Sequence, residues 1–403
     1  MQRKSPGALF FGKFSPLAGY LGILGLLASV SLTAAAARER VLLDAGWRFQ
    51  LGDPGDVTTN VTVYQEIGNL AWAQGAELNT ETALQATRPD PVATHAGENV
   101  SFVLTNYNDS AWRTLDLPHD WAVELPFNSS ADAGHGFKPV GNPSFTTNNI
   151  GWYRHTFTLP AGDTNKVMWL EFDGIYRNAL IWLNGRCIGR DVSGYAPISF
   201  DVTTNVIAGG TNVLVIRVDA TRTEGWWYEG AGIYRHVWLM KTDPVHVGHW
   251  GTYVATTSLV GSNATITVQT TVTNQSASPT NGSLTSTILD ANSNVVITVT
   301  SNLNLAANQG LIVTQTLAVA NANLWSLQTP YRYNLVSTVS NATTQADVYQ
   351  TPFGVRTVRF DPTNGVFING QHVEILGMCN HQDHAGVGIA LPDRLQYFRI
   401  ERL

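Results

Sequence analysis

Ala179-Leu180-Ile181-Trp182-Leu183-Asn184-Gly185-Arg186-Cys187-Ile188 decides how the first half of the chain folds. An apolar run stops at Asn184-Gly185, the dipeptide that most favours a two-residue type I′ turn, and a second short run follows at once. The reading is a tight antiparallel hairpin. Working outward, Val167-Met168-Trp169-Leu170-Glu171-Phe172 precedes it, and Val213 to Val218 and His236 to Leu239 follow, each short and rich in strand formers. Further upstream, Leu42 to Gln50 reads as one strand with Trp47 and Phe49 on alternate positions. The stretch from there to about Phe102 is irregular and says little. Residues 41–242 show no sustained helical period, so a sandwich, jelly-roll or barrel is expected.

Asp243-Pro244 marks a boundary, after which Thr, Ser, Asn, Val and Ala dominate. Alternation is clear in Ala264 to Val268, Ser283 to Leu289, Val295 to Val299 and Leu311 to Leu317. Turn clusters at Asn274 to Asn281, Asp290 to Asn294 and Ala306 to Gly310 separate them. Strands so spaced within residues 243–354 predict an immunoglobulin-like β-sandwich, with no cysteine to staple it.

The whole chain has 403 residues, enough for two or three domains, and 44% of them are apolar. Charged residues are 13% of the chain, about half the usual share. A net charge of -6, with no basic run beyond the first dozen residues, argues against a nucleic-acid partner. Arg3, Lys4 and Lys13, then an uncharged segment from Leu17 to Leu32, then Ala34-Ala35-Ala36, read as a cleavable signal peptide over residues 1–37. Export to a secreted or periplasmic location is expected, with no membrane partner after cleavage. Cys187 and Cys379 fall in different predicted domains and are read as small buried hydrophobes rather than a bridge.

Four stretches in this order carry a family likeness: Leu117-Pro118-His119-Asp120-Trp121, Gly151-Trp152-Tyr153-Arg154, Ile181-Trp182-Leu183-Asn184-Gly185 and Tyr228-Glu229-Gly230-Ala231-Gly232-Ile233-Tyr234-Arg235. Together they resemble the N-terminal sugar-binding jelly-roll of glycoside hydrolase family 2, the β-galactosidase and β-glucuronidase family. Leu324-Trp325-Ser326-Leu327 and Pro330 to Leu335 resemble its middle domain, and Phe353 to Val358 its link into a catalytic (β/α)8 barrel. The resemblance implies a mainly β chain: a galactose-binding-like jelly-roll over 41–242, an immunoglobulin-like sandwich over 243–354, and the start of a barrel over 355–403. In the third segment, Phe367-Ile368-Asn369-Gly370-Gln371 reads as a second hairpin, Val373 to Leu376 as a first barrel strand, and Leu391-Pro392-Asp393 as the start of a helix with Leu395, Phe398 and Leu403 on one face.

The strand end is followed by Gly377-Met378-Cys379-Asn380-His381-Gln382-Asp383-His384, a titratable cluster of the kind a barrel rim carries. By the resemblance, His381 corresponds to a His that contacts sugar hydroxyls, with Asp383 beside it and Cys379 where relatives often carry Asn. Trp226 and Glu229 belong to a loop that reaches the sugar pocket in family members. Trp226-Trp227-Tyr228 suits sugar stacking and core filling about equally. His119 and Asp120 read as a Pro-initiated turn whose Asp accepts backbone N–H bonds and whose Trp121 packs inward, not as catalysts. A metal site from His381, Asp383 and His384 is disfavoured by spacings too short for ordinary ligand sets.

Retaining glycosidases use two carboxyl groups about 5–5.5 Å apart. In the family both are Glu on later barrel strands, the first after an Asn. No Asn-Glu follows Gly377, a barrel needs roughly 250 residues, and the helical pattern runs to Leu403 without a closing Gly. The expectation is therefore an N-terminal portion that ends early in its barrel, inactive alone, whose acid/base and nucleophile lie downstream. The expected partner is a β-glycoside substrate. The sugar, the oligomeric state and any help from Mg2+ or Na+ stay open. The alternative is a non-catalytic carbohydrate-binding or scaffold protein of two β-sandwiches.

Overall fold

The hairpin forms as read: β6 (Ala179–Leu183) and β7 (Arg186–Asp191) join through Asn184 and Gly185, both at positive φ (53° and 80°) as a type I′ turn requires. The structure, a computed structural model, describes residues 38–57, 90–223, 225, 227–341 and 345–403. The signal-peptide reading and Trp226 fall outside them.

Around this hairpin, a six-stranded antiparallel sheet has the order β3-β2-β4-β9-β6-β7, using β2 (Trp47–Leu51), β3 (Arg113–Leu115), β4 (Ile150–Thr158) and β9 (Thr211–Asp219). A four-stranded sheet, β1-β10-β5-β8, contains β1 (Arg38–Leu42), β5 (Val167–Phe172), β8 (Ile198–Asp201) and β10 (Val237–Thr242). Trp47, Phe49, Tyr153, Ile181 and Ile216 from the first sheet pack against Met168, Leu170, Phe172 and Leu239 from the second, closing a jelly-roll sandwich. The single strand expected over Leu42 to Gln50 is two strands. Asp44-Ala45-Gly46 breaks it, Gly46 lying at φ 76°, so that β1 pairs in one sheet and β2 in the other.

Every residue of β6 is buried, because the six-stranded sheet is covered on both faces. Its outer face carries Trp152 and Trp182, stacked with ring centroids 5.5 Å apart. Val100, Val103 and Trp112, from the irregular stretch ahead of β4, seal that face. The Trp182 indole donates to the Ala96 carbonyl at 2.6 Å, so the covering segment is anchored as well as packed. Cys187 lies in this layer, and burial pushes its thiol up to about 12. Cys379 is exposed, which corrects the expectation that both cysteines are buried.

The second sandwich has sheets β11-β12-β15 and β14-β13-β16-β17, seven strands in the immunoglobulin manner. They are β11 (Val245–Val260), β12 (Asn263–Asn274), β13 (Thr280–Leu289), β14 (Val295–Leu305), β15 (Gln309–Val319), β16 (Tyr333–Asn341) and β17 (Gln345–Phe353). Ile266, Val268, Ile288, Leu317 and Leu335 form its core without a disulfide.

The last segment starts with β18 (Val358–Asp361), β19 (Gly365–Ile368) and β20 (Gln371–Val373), the second Asn-Gly hairpin joining the last two. The barrel strand read over Val373 to Leu376 does not form: β20 ends at Val373, and Ile375 and Leu376 are 71% and 85% exposed. A parallel strand needs hydrogen-bonded neighbours on both sides, and among the described residues none lies beside this run. The helix does form, over Asp393–Arg402, with no buried residue on the face expected for Leu395 and Phe398.

Asp120 ties this segment to the jelly-roll. It caps a short helix, α1 (Trp121–Glu124), by accepting from Ala122 N at 2.9 Å. It also accepts from Ala231 N at 3.0 Å, from the Tyr228 hydroxyl at 2.8 Å and, 269 residues along the chain, from Ile389 N at 3.0 Å. Burial pushes its carboxyl up, while these four donors pull it back. Gly388 sits at φ 59°, where a Cβ would lie 1.9 Å from Asp120 Oδ2, so only glycine lets the backbone come this close. The structural role read for His119-Asp120-Trp121 thus holds, with Trp121 1% exposed.

Candidate functional site

The helix Asp393–Arg402, here α2, positions the titratable loop before it. Arg399 Nη1 donates to the His381 carbonyl at 2.7 Å, and its Nη2 donates to the Asp383 carbonyl. At the other end of the helix, Asp393 Oδ1 meets His236 Nε2 at 3.2 Å, and His236 Nδ1 lies 2.6 Å from Asp44 Oδ2. Burial lowers the His236 pKa, but the two carboxylates outweigh it and hold it above the ordinary value, so the imidazolium clips α2 to the jelly-roll. That clip is present below about pH 6.5 and fades as pH rises through the raised pKa.

Between the clipped loop and the jelly-roll lies a cleft of about 720 Å3, within the usual range for ligand sites. Asn380, His381 and Gln382 form one wall; Trp227, Tyr228 and Glu229 form the facing one. Asp173, Tyr195, Tyr234 and Arg235 are among the other lining residues. Residues far apart in sequence, Glu229 and His381 among them, therefore share one concavity.

The side chains differ in how free they are to meet a ligand. His381 is exposed. Glu229 is 2% exposed, and its Oε1 already accepts from Gly225 N at 2.7 Å and from the Tyr195 hydroxyl at 3.4 Å. Its carboxylate fixes the 225–229 loop first, and any sugar contact comes second. Burial pushes Tyr228 far above its ordinary pKa, so its hydroxyl stays a donor to Asp120. Trp227 is 39% exposed on the cleft, whereas Tyr228 is half-buried, which separates these two rings between surface and core. Asp383 is half-buried and does not line the cleft; His384 is exposed, its Nδ1 3.0 Å from the Ala385 carbonyl.

Sequence reasoning missed Tyr195, Asp173, Arg235 as a lining residue, and Arg399. Tyr195 follows a Ser-Gly turn, and nothing in strand periodicity points to it. Asp173 directly follows β5, a run read only as a strand. A second cleft of about 700 Å3, lined by Tyr331, His372 and Glu374 among others, holds none of the candidate sugar-binding residues His381, Asp383 and Glu229.

Comparison with known proteins agrees with this architecture. Residues 105–243 match the sugar binding domain of glycosyl hydrolases family 2, and residues 245–356 match a second model of the same family. A beta-galactosidase of Bacteroides ovatus, BoGH2A, is 35% identical over 92% of this chain and 38% of its own length. A beta-glucuronidase of Formosa agariphila is 30% identical over 73% of this chain and 32% of its own. Among solved structures, a family 2 member from Bacteroides cellulosilyticus superposes with a TM-score of 0.74 at 28% identity, over 90% of this chain and 41% of that one. The structure of a beta-glucuronidase from the family gives 0.73 at 25% identity, over 91% and 36%. The chain thus spans about two fifths of these relatives. With residues 105–243 and 245–356 matched in succession by two models of one family, the chain belongs to the glycosyl hydrolases of family 2.

Proposed function

We propose that this chain is the N-terminal, sugar-facing part of a secreted retaining glycoside hydrolase of β-galactosidase type. The observation that carries the reading is the shared cleft, where His381 from the last segment faces Trp227 and Glu229 from the jelly-roll. A concave site with exposed aromatic faces, hydroxyl-binding side chains and an exposed imidazole on a held backbone suits a pyranose. The galactoside preference draws support from the alignment with the Bacteroides ovatus beta-galactosidase over 92% of this chain, against 73% for the Formosa beta-glucuronidase.

In this reading the residues described here bind and orient. His381 hydrogen-bonds ring hydroxyls, and Arg399 holds its backbone in place. The 403 residues contain no Asn-Glu pair, and hydrolysis with retention needs two carboxyl groups flanking the scissile bond. The purified chain should therefore bind methyl β-galactoside more tightly than methyl β-glucuronide and leave a nitrophenyl β-galactoside uncleaved. His381→Ala should weaken galactoside binding about tenfold, the worth of one hydrogen bond to a ring hydroxyl. Unchanged affinity in calorimetric titration would remove His381 from the site, and turnover at an enzymic rate would refute the division of labour.

Secretion rests on Arg3, Lys4, the apolar segment from Leu17 to Leu32 and Ala34-Ala35-Ala36. N-terminal sequencing of exported protein should find the chain starting near residue 38; retention of Met1 would contradict cleavage.

A further inference from the structure

The helix α2 buries none of its residues, so packing does not set its direction. The chain enters it through the buried Ile389-Ala390-Leu391, which fix where the helix starts but not where it points. Two polar ties do that. Arg399 joins the helix to the carbonyls of His381 and Asp383, so helix and loop move as one piece. Asp393 Oδ1, 3.2 Å from His236 Nε2, joins that piece to the jelly-roll.

The two ring nitrogens of His236 have different partners. Nδ1 lies 2.6 Å from Asp44 Oδ2, and Asp44 Oδ1 also accepts from Val237 N at 3.0 Å. That carboxylate is fixed within the jelly-roll and keeps a proton on Nδ1 in either charge state. The proton that comes and goes is therefore the one on Nε2. With it, the ring donates to Asp393; without it, a nitrogen lone pair faces a carboxylate oxygen. Loss of the proton thus turns an attraction into a repulsion. Among the described residues, Asp44 and Asp393 are the charged groups that face the ring. Arg40 and Asp173 are engaged on the neighbouring Trp238, the guanidinium 3.8 Å over its ring and the carboxylate accepting from its indole N–H at 2.9 Å.

We infer that His236 is a positioning residue for the His381 wall of the cleft: the proton on its Nε2 holds α2, and with it the His381 backbone, against the jelly-roll. For ligand binding this rests on the reading of the cleft as a galactoside site; for the wall itself it does not. The His236 pKa is raised by its two carboxylates, so the tie is complete below about pH 6.5 and is lost as pH rises through the raised value. The segment's other anchor, Ile389 N to Asp120 Oδ2, changes the opposite way, because a carboxylate accepts better than a carboxylic acid. A wall that loosens with rising pH therefore reports His236.

The test follows α2 in the purified chain by amide hydrogen exchange, corrected for the intrinsic rate at each pH, and the cleft by calorimetric titration with methyl β-galactoside. Raising the pH from about 6 to about 9 should lower α2 protection and galactoside affinity together by about threefold, the scale of an ion pair with one exposed partner. Asp393→Asn should flatten both profiles, because its amide offers oxygen to the charged ring or N–H to the neutral one. Groups that titrate elsewhere are common to parent and variant, so the difference between their profiles belongs to this contact. Protection in the parent that does not change with pH would overturn the inference. So would parallel falls in parent and Asp393→Asn, or an affinity that stays constant while protection falls. A parent that binds no galactoside at any pH, yet loosens as stated, would remove the galactoside reading and leave His236 holding the wall.

Discussion

Asp347→Ala is expected to lower the stability of the folded chain by about 3–5 kcal/mol, the range for removing one partner of a buried ion pair. Asp347 lies in β17 of the second sandwich with its side chain fully buried, and it meets Arg38 of β1 in the first, whose side chain is 12% exposed. The pairing is bidentate, Arg38 Nε to Oδ1 at 3.1 Å and Nη2 to Oδ2 at 2.8 Å. Oδ2 also accepts from Val247 N at 2.8 Å, and Arg38 Nη2 donates to the Val247 carbonyl at 2.5 Å. Truncation therefore strands a guanidinium and a backbone N–H in the seam between the two sandwiches.

Arg38 keeps the Tyr349 face 4.8 Å away, which recovers part of the loss. The pair itself is a weak source of net stability, so replacing both members by apolar side chains, Arg38→Met with Asp347→Leu, should cost much less than the single truncation. Urea unfolding of the parent, both single variants and the double variant separates the cases. A single-variant loss below about 1 kcal/mol would show that water reaches the seam and that the clamp is an ordinary surface pair. Because the carboxylate is dry, the loss should also persist at 1 M salt, where exposed pairs are screened.

How far the chain could be read in advance followed the range of the forces involved. Both Asn-Gly hairpins were legible, because positive φ at Asn184 and Asn369 is a local demand met by local residues. The second sandwich was legible because β12 alternates strictly, its buried positions running Ala264, Ile266, Val268, Thr270, Val272 and Asn274. The run β6, apolar at every position, was seen as a strand, but its meaning was not drawn out. A strand without alternation has both faces covered, and the cover came from residues 96–112, which carry no period of their own.

The site divided in the same way. His381 and Glu229 were reached through family likeness in short motifs. Tyr195 and Arg399 were not, since their roles depend on which backbone lies opposite them in space. The bond from Asp120 to Ile389 N is the extreme case. No local pattern announces a contact across 269 residues, yet it sets where the His381 loop sits. The misread strand at Val373 to Leu376 has the converse cause: apolar composition suggests burial, but burial needs a partner surface, and Leu376 stays 85% exposed.

Acidification should weaken the jelly-roll through His155. This residue lies in β4, 9% exposed, its ring stacked on Trp47 at 4.9 Å and near-parallel to Phe157 at 6.1 Å. Its Nδ1 has no hydrogen-bond partner, and no carboxylate faces it among the described residues. Burial pushes its pKa down to about 4, against a backbone hydrogen bond with Gly46 that pulls it up. A histidine held neutral in the fold but free to charge when unfolded contributes stability that is complete above pH 6.5 and is lost as pH falls from 6.5 towards 4.

The displacement from 6.5 to about 4 corresponds to about 3 kcal/mol at 1.36 kcal/mol per pH unit. One effect opposes it: an imidazolium over the Trp47 face gains a cation–π attraction of up to about 2 kcal/mol when desolvated. The burial penalty is the larger, since the ring gives up most of its water and gains no anion in exchange. His246, 1% exposed and likewise depressed by burial, acts in the same direction, while His236 acts in the opposite one. Stability measured by urea unfolding between pH 7.5 and 4 should therefore fall more steeply in the parent than in His155→Phe. That variant keeps an aromatic ring in the stack and removes the titration. The expected difference across the window is about 3 kcal/mol, less whatever Trp47 returns. Parallel pH profiles for the two proteins would show that the ring charges without leaving the core, and that the Trp47 face, not exclusion of the proton, governs this site.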